Sequence, residues 1–340
     1  MKKFLIISFI LFAFSQQEIF AQITKTGTTA AKFLSIGVGP RAISMGGAFT
    51  SIGNDASALY WNPAGIAKLN NYEAMFSHTN LFKDLDISLN YAAIVIPTDG
   101  WGNFGASITS LDYGMMDVTT EYYPEGTGEK FSASSYAFAL SYSRVITEDF
   151  SAGITVKYIR ELIFNSSADG IAFDIGTIFN TPFFGIKFSS IISNYGSKMQ
   201  MLGEDLLLRY DADPQREGNN ETVDAYIKTD KFDLPLKLQI GISKEIELFE
   251  NQKLTLAVDA THANDNAEYL NIGGEFSLFN DLFFLRAGYK ALFLEDSQEG
   301  LTLGVGINYN IEVINFGFDY AFQEYEFLGN THSFGVRLRF

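Results

Sequence analysis

The stretch PRAISMGGAFTSIGNDASALYWNPAGIAKL, residues 40–69, is the most informative part of this sequence. Its centre predicts a short helix, because Asn54 or Asp55 offers a side-chain oxygen to the free N–H groups of a first helical turn. Asn62 precedes Pro63, and the residue before a proline is disfavoured in the helical region, so we expect the helix to end there. So small a segment cannot bury a core of its own, and we expect it to pack inside something larger.

The rest of the chain consists of segments in which apolar residues alternate with small or polar ones. We count fourteen such segments from Tyr72 onward. Period two is typical of strands, and lipid outside a filled lumen requires apolar residues outward and small or polar residues inward. The clearest segments are 236–242, 254–260, 301–309, 314–322 and 333–340; the less regular ones are 72–79, 87–96, 101–111, 134–144, 151–162, 170–179, 184–193, 270–278 and 283–289.

The connections between these segments are short on one side of the predicted sheet and long on the other. In an outer-membrane barrel the short side faces the periplasm. Only residues 245–252 are long for an inner turn. A soluble β-sandwich or propeller would explain the alternation but not this asymmetry, so the sequence favours an all-β membrane protein, a 14-stranded antiparallel transmembrane β-barrel. The short connections are 97–100, 145–149, 180–183, 279–281 and 310–312; the long ones are 112–133, 194–235 and 291–300.

Composition points to the same class of protein. Hydrophobic residues make up 47% of the chain and aromatic residues 15%, yet no apolar run reaches the ~20 residues of a membrane helix. The net charge of −16 argues against a nucleic-acid partner, which would need a basic surface. Because the sequence has no cysteine, neither a lipoprotein anchor nor a disulfide is expected.

The first residues have the pattern of a secretory signal peptide, which we place at residues 1–21. Lys2 and Lys3 form the charged start, residues 4–14 the apolar core, and Ala21 the small residue at the cleavage point. The apolar core is shorter than the roughly twenty residues that a membrane anchor needs. We therefore expect export and insertion into the outer membrane of a Gram-negative cell.

The end of the sequence carries a predicted assembly signal for such a barrel. An outward apolar row closes on a C-terminal aromatic residue, which is typical of outer-membrane barrels. The row consists of Phe334, Val336, Leu338 and Phe340.

The width of the predicted barrel gives the opening stretch a place. Fourteen strands that lie ~4.8 Å apart and tilt by ~40° form a cylinder about 28 Å wide, which side chains of the wall do not fill. We therefore expect residues 22–70 to form a hatch of short helices that plugs the lumen, and residues 71–340 to form the barrel.

The opening stretch also resembles a known family. Residues 54–57 and 61–65 resemble the N-terminal hatch of FadL-type outer-membrane barrels, and with residues 40–48 the stretch is more closely similar to the PorV/PorQ family of the type IX secretion system. The Asn-Pro-Ala triplet also occurs in aquaporins, but those need long apolar helices. The residues that carry the hatch motif are Arg41, Gly46, Gly47, Asn54, Asp55, Trp61, Asn62, Pro63, Ala64 and Gly65.

The resemblance implies one of two functions. Similarity to PorV/PorQ implies a non-enzymatic component of type IX secretion that binds the C-terminal domains of exported cargo and associates with the translocon or the attachment complex, through residues 194–235 and neighbouring loops. Similarity to FadL implies passive transport of hydrophobic molecules through a lateral opening. The long polar outer loop and the polar inward residues favour protein partners over a hydrophobic small-molecule ligand. Membrane lipid is expected as a partner in either case.

Charged residues recur at inward positions of the predicted strands. They could line a permeation pathway, but isolated buried charges are unfavourable, so we expect them to pair across strands and with Arg41 and Asp55. Likewise, Trp61 and Asn62 are expected to anchor the plug rather than to gate it. The inward charges are Lys157, Asp174, Lys187, Lys237, Asp259, Glu275, Arg286, Asp319, Arg337 and Arg339.

The sequence predicts no catalytic residues, metal or cofactor. His78, His262 and His332 are scattered and lack the spacing of metal ligands. The longest outer loop offers oxygen ligands suited to Ca²⁺, but it lacks the glycine and the spacing of an EF-hand, so a solvated acidic loop is expected. These acidic or amide residues are Asp211, Asp213, Glu217, Asn219 and Glu221.

Overall fold

The computed structural model describes residues 26–82, 85–211, 215, 223–326 and 329–340. The predicted signal peptide, residues 1–21, lies outside these ranges, and so do Asp213, Glu217, Asn219 and Glu221 of the acidic loop. The protein is a closed barrel of fourteen antiparallel strands around an N-terminal plug. The strands are β1 (Glu73–Phe82), β2 (Ile87–Ile96), β3 (Asn103–Asp117), β4 (Lys130–Thr147), β5 (Phe150–Ile163), β6 (Ser166–Asn180), β7 (Ile186–Gly196), β8 (Lys237–Phe249), β9 (Gln252–Ala263), β10 (Tyr269–Leu278), β11 (Phe283–Leu292), β12 (Glu299–Ile311), β13 (Ile314–Tyr325) and β14 (Thr331–Arg339).

Each strand is hydrogen-bonded to its neighbours in sequence, and the first strand closes the barrel against the last. β1 pairs with β14, with Glu73 opposite Arg339. β7 pairs with β8 across the longest connection of the chain, with Ser193 opposite Lys237. The predicted fold, fourteen strands with an N-terminal hatch, is therefore confirmed.

The strands follow the alternation of the sequence further than predicted. Residues 245–252, expected as a long inner turn, lie mostly in strands, because β8 runs to Phe249 and β9 begins at Gln252. That expectation is wrong because Glu245 and Glu247 fall on inward positions on either side of the apolar Ile246, so the period of two continues through the charges. This connection is as short as the other turns at the same end. We call that end, which also carries the C-terminus, the inner end, and the opposite one the outer end.

The outward positions form an apolar surface around the barrel. Along β12, the side chains of Leu301, Leu303 and Val305 are 41% to 47% exposed, whereas Thr302 between them is buried in the lumen. The same alternation recurs on the other strands. Such a face suits hydrocarbon on the outside of the barrel. Among the residues that the structure describes, no helix is long and apolar enough to cross a membrane.

The predicted long outer loop, residues 194–235, contains strands of its own. Leu202–Gly203 pairs with the first residues of β6 and extends the sheet at the outer rim. Leu207–Tyr210 pairs with Val223–Tyr226 in a separate hairpin. We call this second feature the outer hairpin.

The plug crosses the lumen from the outer end to the inner end. At the outer end, the N–H of Ala30 donates to the carbonyl of Asp233 at 2.9 Å. At the inner end, Lys68 Nζ donates to the carbonyl of Glu148 at 3.0 Å. Between them lie a 3₁₀ helix (Lys32–Ser35), the helices α1 (Pro40–Ser44) and α2 (Ala58–Trp61), and a second 3₁₀ helix (Pro63–Lys68).

The inner rim generates a prediction about assembly. The ring of Phe340 stacks on that of Tyr72, with 5.7 Å between centroids, and its N–H donates to the Tyr72 carbonyl. We expect Phe340→Asp to lower the amount of assembled barrel in the membrane, because a charge replaces a ring at the end of the apolar row. Phe340→Tyr keeps the ring and serves as the control. The measurement is the fraction of protein with heat-modifiable gel migration, and equal fractions for the two variants would contradict the prediction.

Candidate functional site

One proline and two glycines shape the first helix of the plug. α1 begins at Pro40, whose fixed φ suits the first helical position. It is followed by Gly46 and Gly47, with φ of 65° and 76°, a region that glycine enters without strain. Their N–H groups donate to the carbonyls of Ile43 and Ala42 at 3.0 Å, so the chain reverses with these carbonyls satisfied. The turn brings the next part of the plug back across the lumen.

α2 begins later than the sequence predicted. Its first residue is Ala58, with Ser57 as N-cap. Asp55 accepts the N–H of Ser57 at 3.0 Å and so shapes the turn before the helix. Of the two residues expected to accept such N–H groups, Asp55 therefore does so, whereas the side-chain oxygen of Asn54 accepts a hydrogen bond from Arg41 Nη1 at 2.7 Å.

Asn62 and Trp61 both hold the plug in place. α2 ends at Trp61, and Asn62 after it is extended, as the sequence predicted for the residue before Pro63. The Asn62 side chain donates to the carbonyl of Thr50 in the plug at 2.9 Å and to that of Thr177 on β6 at 3.1 Å. Trp61 Nε1 donates to the carbonyl of Val38 at 2.9 Å. In this structure the two side chains anchor the plug to itself and to the wall.

A network of buried charges joins the plug to the wall near the inner end. Arg41 donates to both carboxylate oxygens of Glu275 on β10, at 2.8 and 2.7 Å, and to Asp55 at 2.8 Å. Arg286 on β11 donates to the same Glu275 at 2.6 Å, and Arg337 on β14 lies 3.2 Å from Asp55. The formal charges of this network cancel, since its members are Arg41, Arg286, Arg337 and Arg339 with Asp55, Glu73, Glu275 and Asp319.

The surroundings of Asp55 keep it ionised. Burial opposes the charge, but the guanidinium groups of Arg41 and Arg337 and the hydroxyl of Ser57 outweigh it and hold the pKa of Asp55 well below its ordinary value. Because the pKa is lower in the folded state than in the unfolded state, this carboxylate stabilises the fold at neutral pH. That contribution is lost only as the pH falls into the strongly acidic range.

Further contacts fix the plug nearer the outer end. Asp259 on β9 accepts the N–H groups of Phe49 and Thr50, each at 2.9 Å. Lys32 Nζ lies 2.6 Å from Asp265, just beyond the outer end of β9. Asp259 thus binds backbone N–H groups of the plug, and Asp265 binds a lysine of the plug. In both cases the partners are too far apart in sequence for a local pattern to predict the contact.

The inward charges predicted from the sequence mostly pair. All are buried except Lys187 and Arg339, which are half-buried. Lys157 on β5 lies 2.6 Å from Asp174 on β6, an example of pairing across neighbouring strands. Glu73 was missed, although its place at the start of an alternating segment is a signal that could have found it. Together the contacts support a structural role for these charges.

Glycines on the lumen side of the wall let the plug lie against the strand backbones. A Cβ added at Gly273 or Gly288 would clash with the backbone of Met45, and one at Gly153 with the backbone around Pro63 and Ala64. Comparable contacts occur on eight strands. We call the residues concerned the glycine belt: Gly105, Gly153, Gly176, Gly241, Gly273, Gly288, Gly304 and Gly335.

An apolar pocket of about 420 Å³ lies at the outer end, where β3, β4 and β5 meet the long outer loop. We call it the outer pocket. Its walls include Tyr113, Met116, Phe131 and Met201, and its charged lining residue is Glu161. A concave apolar site of this size fits a small hydrophobic molecule. Sequence reasoning missed it because its walls come from separate strands and a loop.

A larger cavity of about 640 Å³ lies at the inner end and is polar. Arg41, Glu275 and Arg337 line it, so it borders the charge network described above. Arg41, Glu275 and Arg337 are already paired within the protein. We therefore assign this cavity to the anchoring of the plug rather than to a separate ligand.

The histidines lie apart in the structure, and each has its own hydrogen-bond partner. His78 pairs with Asn90, and His332 with Tyr320, both at 2.8 Å across neighbouring strands. His262 pairs with Glu268 at 2.9 Å. Within the described ranges, no three metal-binding side chains come together.

Comparisons with known proteins bear mainly on the fold. The model of an uncharacterised protein family, UPF0164, matches residues 12–156. No curated protein matches the chain.

Several solved structures have the same architecture. The Ralstonia pickettii toluene transporter TbuX has a TM-score of 0.56 and 12% identity, over 89% of this chain and 97% of that one. The P. putida toluene transporter TodX has a TM-score of 0.55 and 12% identity, over 89% of this chain and 96% of that one. A Pseudomonas aeruginosa FadL homologue has a TM-score of 0.54 and 12% identity, over 89% of this chain and 98% of that one. At this identity the similarity shows a FadL-like barrel fold.

The glycine belt generates a test of how closely the plug fits the wall. A Cβ at Gly304 on β12 would clash with Ser44 of the plug and with the carbonyl of Tyr320. We expect Gly304→Ala to destabilise the protein by about 1–3 kcal/mol, as overpacking typically does.

Gly300 on the same strand is the matched control, because the nearest atoms to an added Cβ there are at 3.8 Å. The temperature at which the compact, heat-modifiable form is lost measures the effect. Equal temperatures for Gly304→Ala and Gly300→Ala would contradict close contact between plug and wall.

Proposed function

We propose that this protein is a passive outer-membrane transporter of small hydrophobic molecules. The observation that carries the proposal is the outer pocket, an apolar cavity on the side of the barrel where the plug begins. The barrel supplies an apolar outer face for the membrane, and the pocket supplies a first binding site for a molecule that arrives from outside.

The comparisons favour this reading over a role in type IX secretion. Two of the similar structures are toluene transporters and a third is a FadL homologue, and the chain spans nearly the whole length of each. The two toluene transporters are not enzymes, which agrees with the non-enzymatic function expected from the sequence. The predicted preference for protein partners rested on the long polar outer loop and on polar inward residues, whereas the outer pocket is apolar.

Transport in this proposal requires the plug to shift. The charge network and the glycine belt bring the plug into contact with the wall on most strands, so a molecule in the outer pocket meets a filled lumen. Asp259 and Asn62 hold the plug through hydrogen bonds to backbone groups, and these would have to break for the plug to move. A local rearrangement of the plug is therefore the step that would control passage.

The type IX reading remains a second candidate because of one feature, the outer hairpin. Both of its strands expose large apolar side chains; Tyr210 is 55% exposed and Tyr226 is 65% exposed. A two-stranded hairpin is marginally stable on its own, and aromatic side chains are common at protein interfaces. Cargo domains or subunits of a PorV/PorQ-type assembly would be partners of this kind.

The two candidates separate in one experiment. A deletion strain is complemented with the parent protein, with Ala133→Phe, or with Ser132→Phe. Ala133 lines the outer pocket, and its neighbour Ser132 faces outward from the same strand. We expect Ala133→Phe to lower uptake of labelled toluene to near the level of the deletion strain, and Ser132→Phe to leave uptake close to that of the parent.

The secretome of the same strains is the second readout. Normal uptake in the deletion strain, together with loss of proteins that carry C-terminal sorting domains, would overturn the transport proposal in favour of type IX secretion. Lost uptake with an unchanged secretome is the result that the transport proposal predicts.

A further inference from the structure

Among the described residues that line the outer pocket, one carries a charged side chain, and the others are mostly apolar. Glu161 projects inward from β5, near the hydroxyl groups of Tyr113 and Ser135, which lie 3.4 Å apart. No lysine, arginine or histidine is among the described residues that line the pocket. Nothing in the lining therefore offers a positive partner to an anionic ligand.

The same carboxylate also binds the plug. Glu161 Oε2 accepts the N–H of Ala31 at 3.1 Å. Ala31 is buried and left-handed, with φ of 50°, and it is the N-cap of the 3₁₀ helix Lys32–Ser35. Glu161 is thus the point at which the outer pocket meets the first helical turn of the plug.

An ionised carboxylate only accepts hydrogen bonds, and it has room for about four of them. A ligand that carries a hydroxyl or protonated amine gains a charge-assisted hydrogen bond to it. A ligand that carries its own carboxylate instead brings a like charge into an apolar site, where repulsion is weakly screened. The lining therefore discriminates between ligands by their polar group.

We infer that the outer pocket takes small apolar molecules that carry a hydrogen-bond donor, such as phenols, in preference to fatty-acid-like anions. The inference rests on the proposed transport of hydrophobic molecules and specifies the class of substrate. The donor group binds Glu161, which keeps free acceptor positions beside the hydrogen bond from Ala31. Ligand and plug are then held by the same carboxylate.

Three compounds with the same methyl-substituted ring test the inference: p-cresol with a donor, toluene with no polar group, and p-toluate with an anion. Binding to the purified full-length protein in detergent is measured by calorimetry. We expect p-cresol to bind about tenfold more tightly than toluene, as a hydrogen bond to a charged group allows. Binding of p-toluate should be the weakest of the three.

Glu161→Gln removes the charge but keeps the shape of the side chain. This substitution should reduce the difference in binding affinity between p-cresol and p-toluate to within a few-fold. Glu268→Gln is the matched control, because Glu268 is an exposed carboxylate near the outer end that pairs with His262. This control should keep the order of the parent protein.

The outcomes distinguish the inference from the proposal beneath it. If p-toluate binds the parent protein most tightly, the inference is overturned and the proposal of hydrophobic transport still stands. The same holds if Glu161→Gln leaves the order of the three binding affinities unchanged. If none of the three compounds binds the parent protein, the transport proposal fails together with the inference. If Glu161→Gln fails to assemble, the inference is decided by the order of the three binding affinities of the parent protein alone.

Discussion

Glu275 is shared between Arg41 of the plug and Arg286 of the wall, and the position of the plug depends on this contact. Three ionised groups in a buried lumen are tolerable only if their charges are matched. The neighbouring Asp55, Arg337 and the other members complete a network without formal net charge. Removal of one member of a buried pair typically costs about 3–5 kcal/mol, because the remaining charge is left without a partner.

The geometry of the barrel explains why the plug is required and how the wall receives it. A fourteen-stranded cylinder is wider than its own side chains fill. The glycine belt brings strand backbones into contact with the plug, and the alternate residues on the same strands face outward. The alternation of glycine with leucine, isoleucine and phenylalanine in the sequence therefore serves two surfaces at once. One surface packs against protein and the other suits lipid.

Local patterns were sufficient to predict the fourteen strands of the barrel wall and the end of α2, but not the start of α2 or the strands within the outer loop. The alternation around Leu303, Phe318 and Val336 identified strands, and Asn62 before Pro63 marked the end of a helix. What could not be predicted were contacts between residues distant in sequence. Arg41 and Glu275 are 234 positions apart, and the hydrogen bond from Arg41 to Asn54 appears only once the plug is folded. The outer pocket is lined by side chains from several strands, so no single sequence motif predicts it.

The charge network holds the plug inside the lumen, and the reactivity of a single buried cysteine in the plug reports on this contact. The sequence has no cysteine, and Ser51 of the plug is a suitable site because it is buried and its hydroxyl has no hydrogen-bond partner among the described residues. Ser51→Cys is combined with Glu275→Gln or, as control, with Glu247→Gln, an exposed inner-end carboxylate on β8. The measurement is the rate at which a bulky thiol reagent labels the assembled barrel. The account predicts slow labelling in the parent and control, and labelling at least about tenfold faster with Glu275→Gln. Equal rates in all three proteins, with the barrel intact, would contradict it.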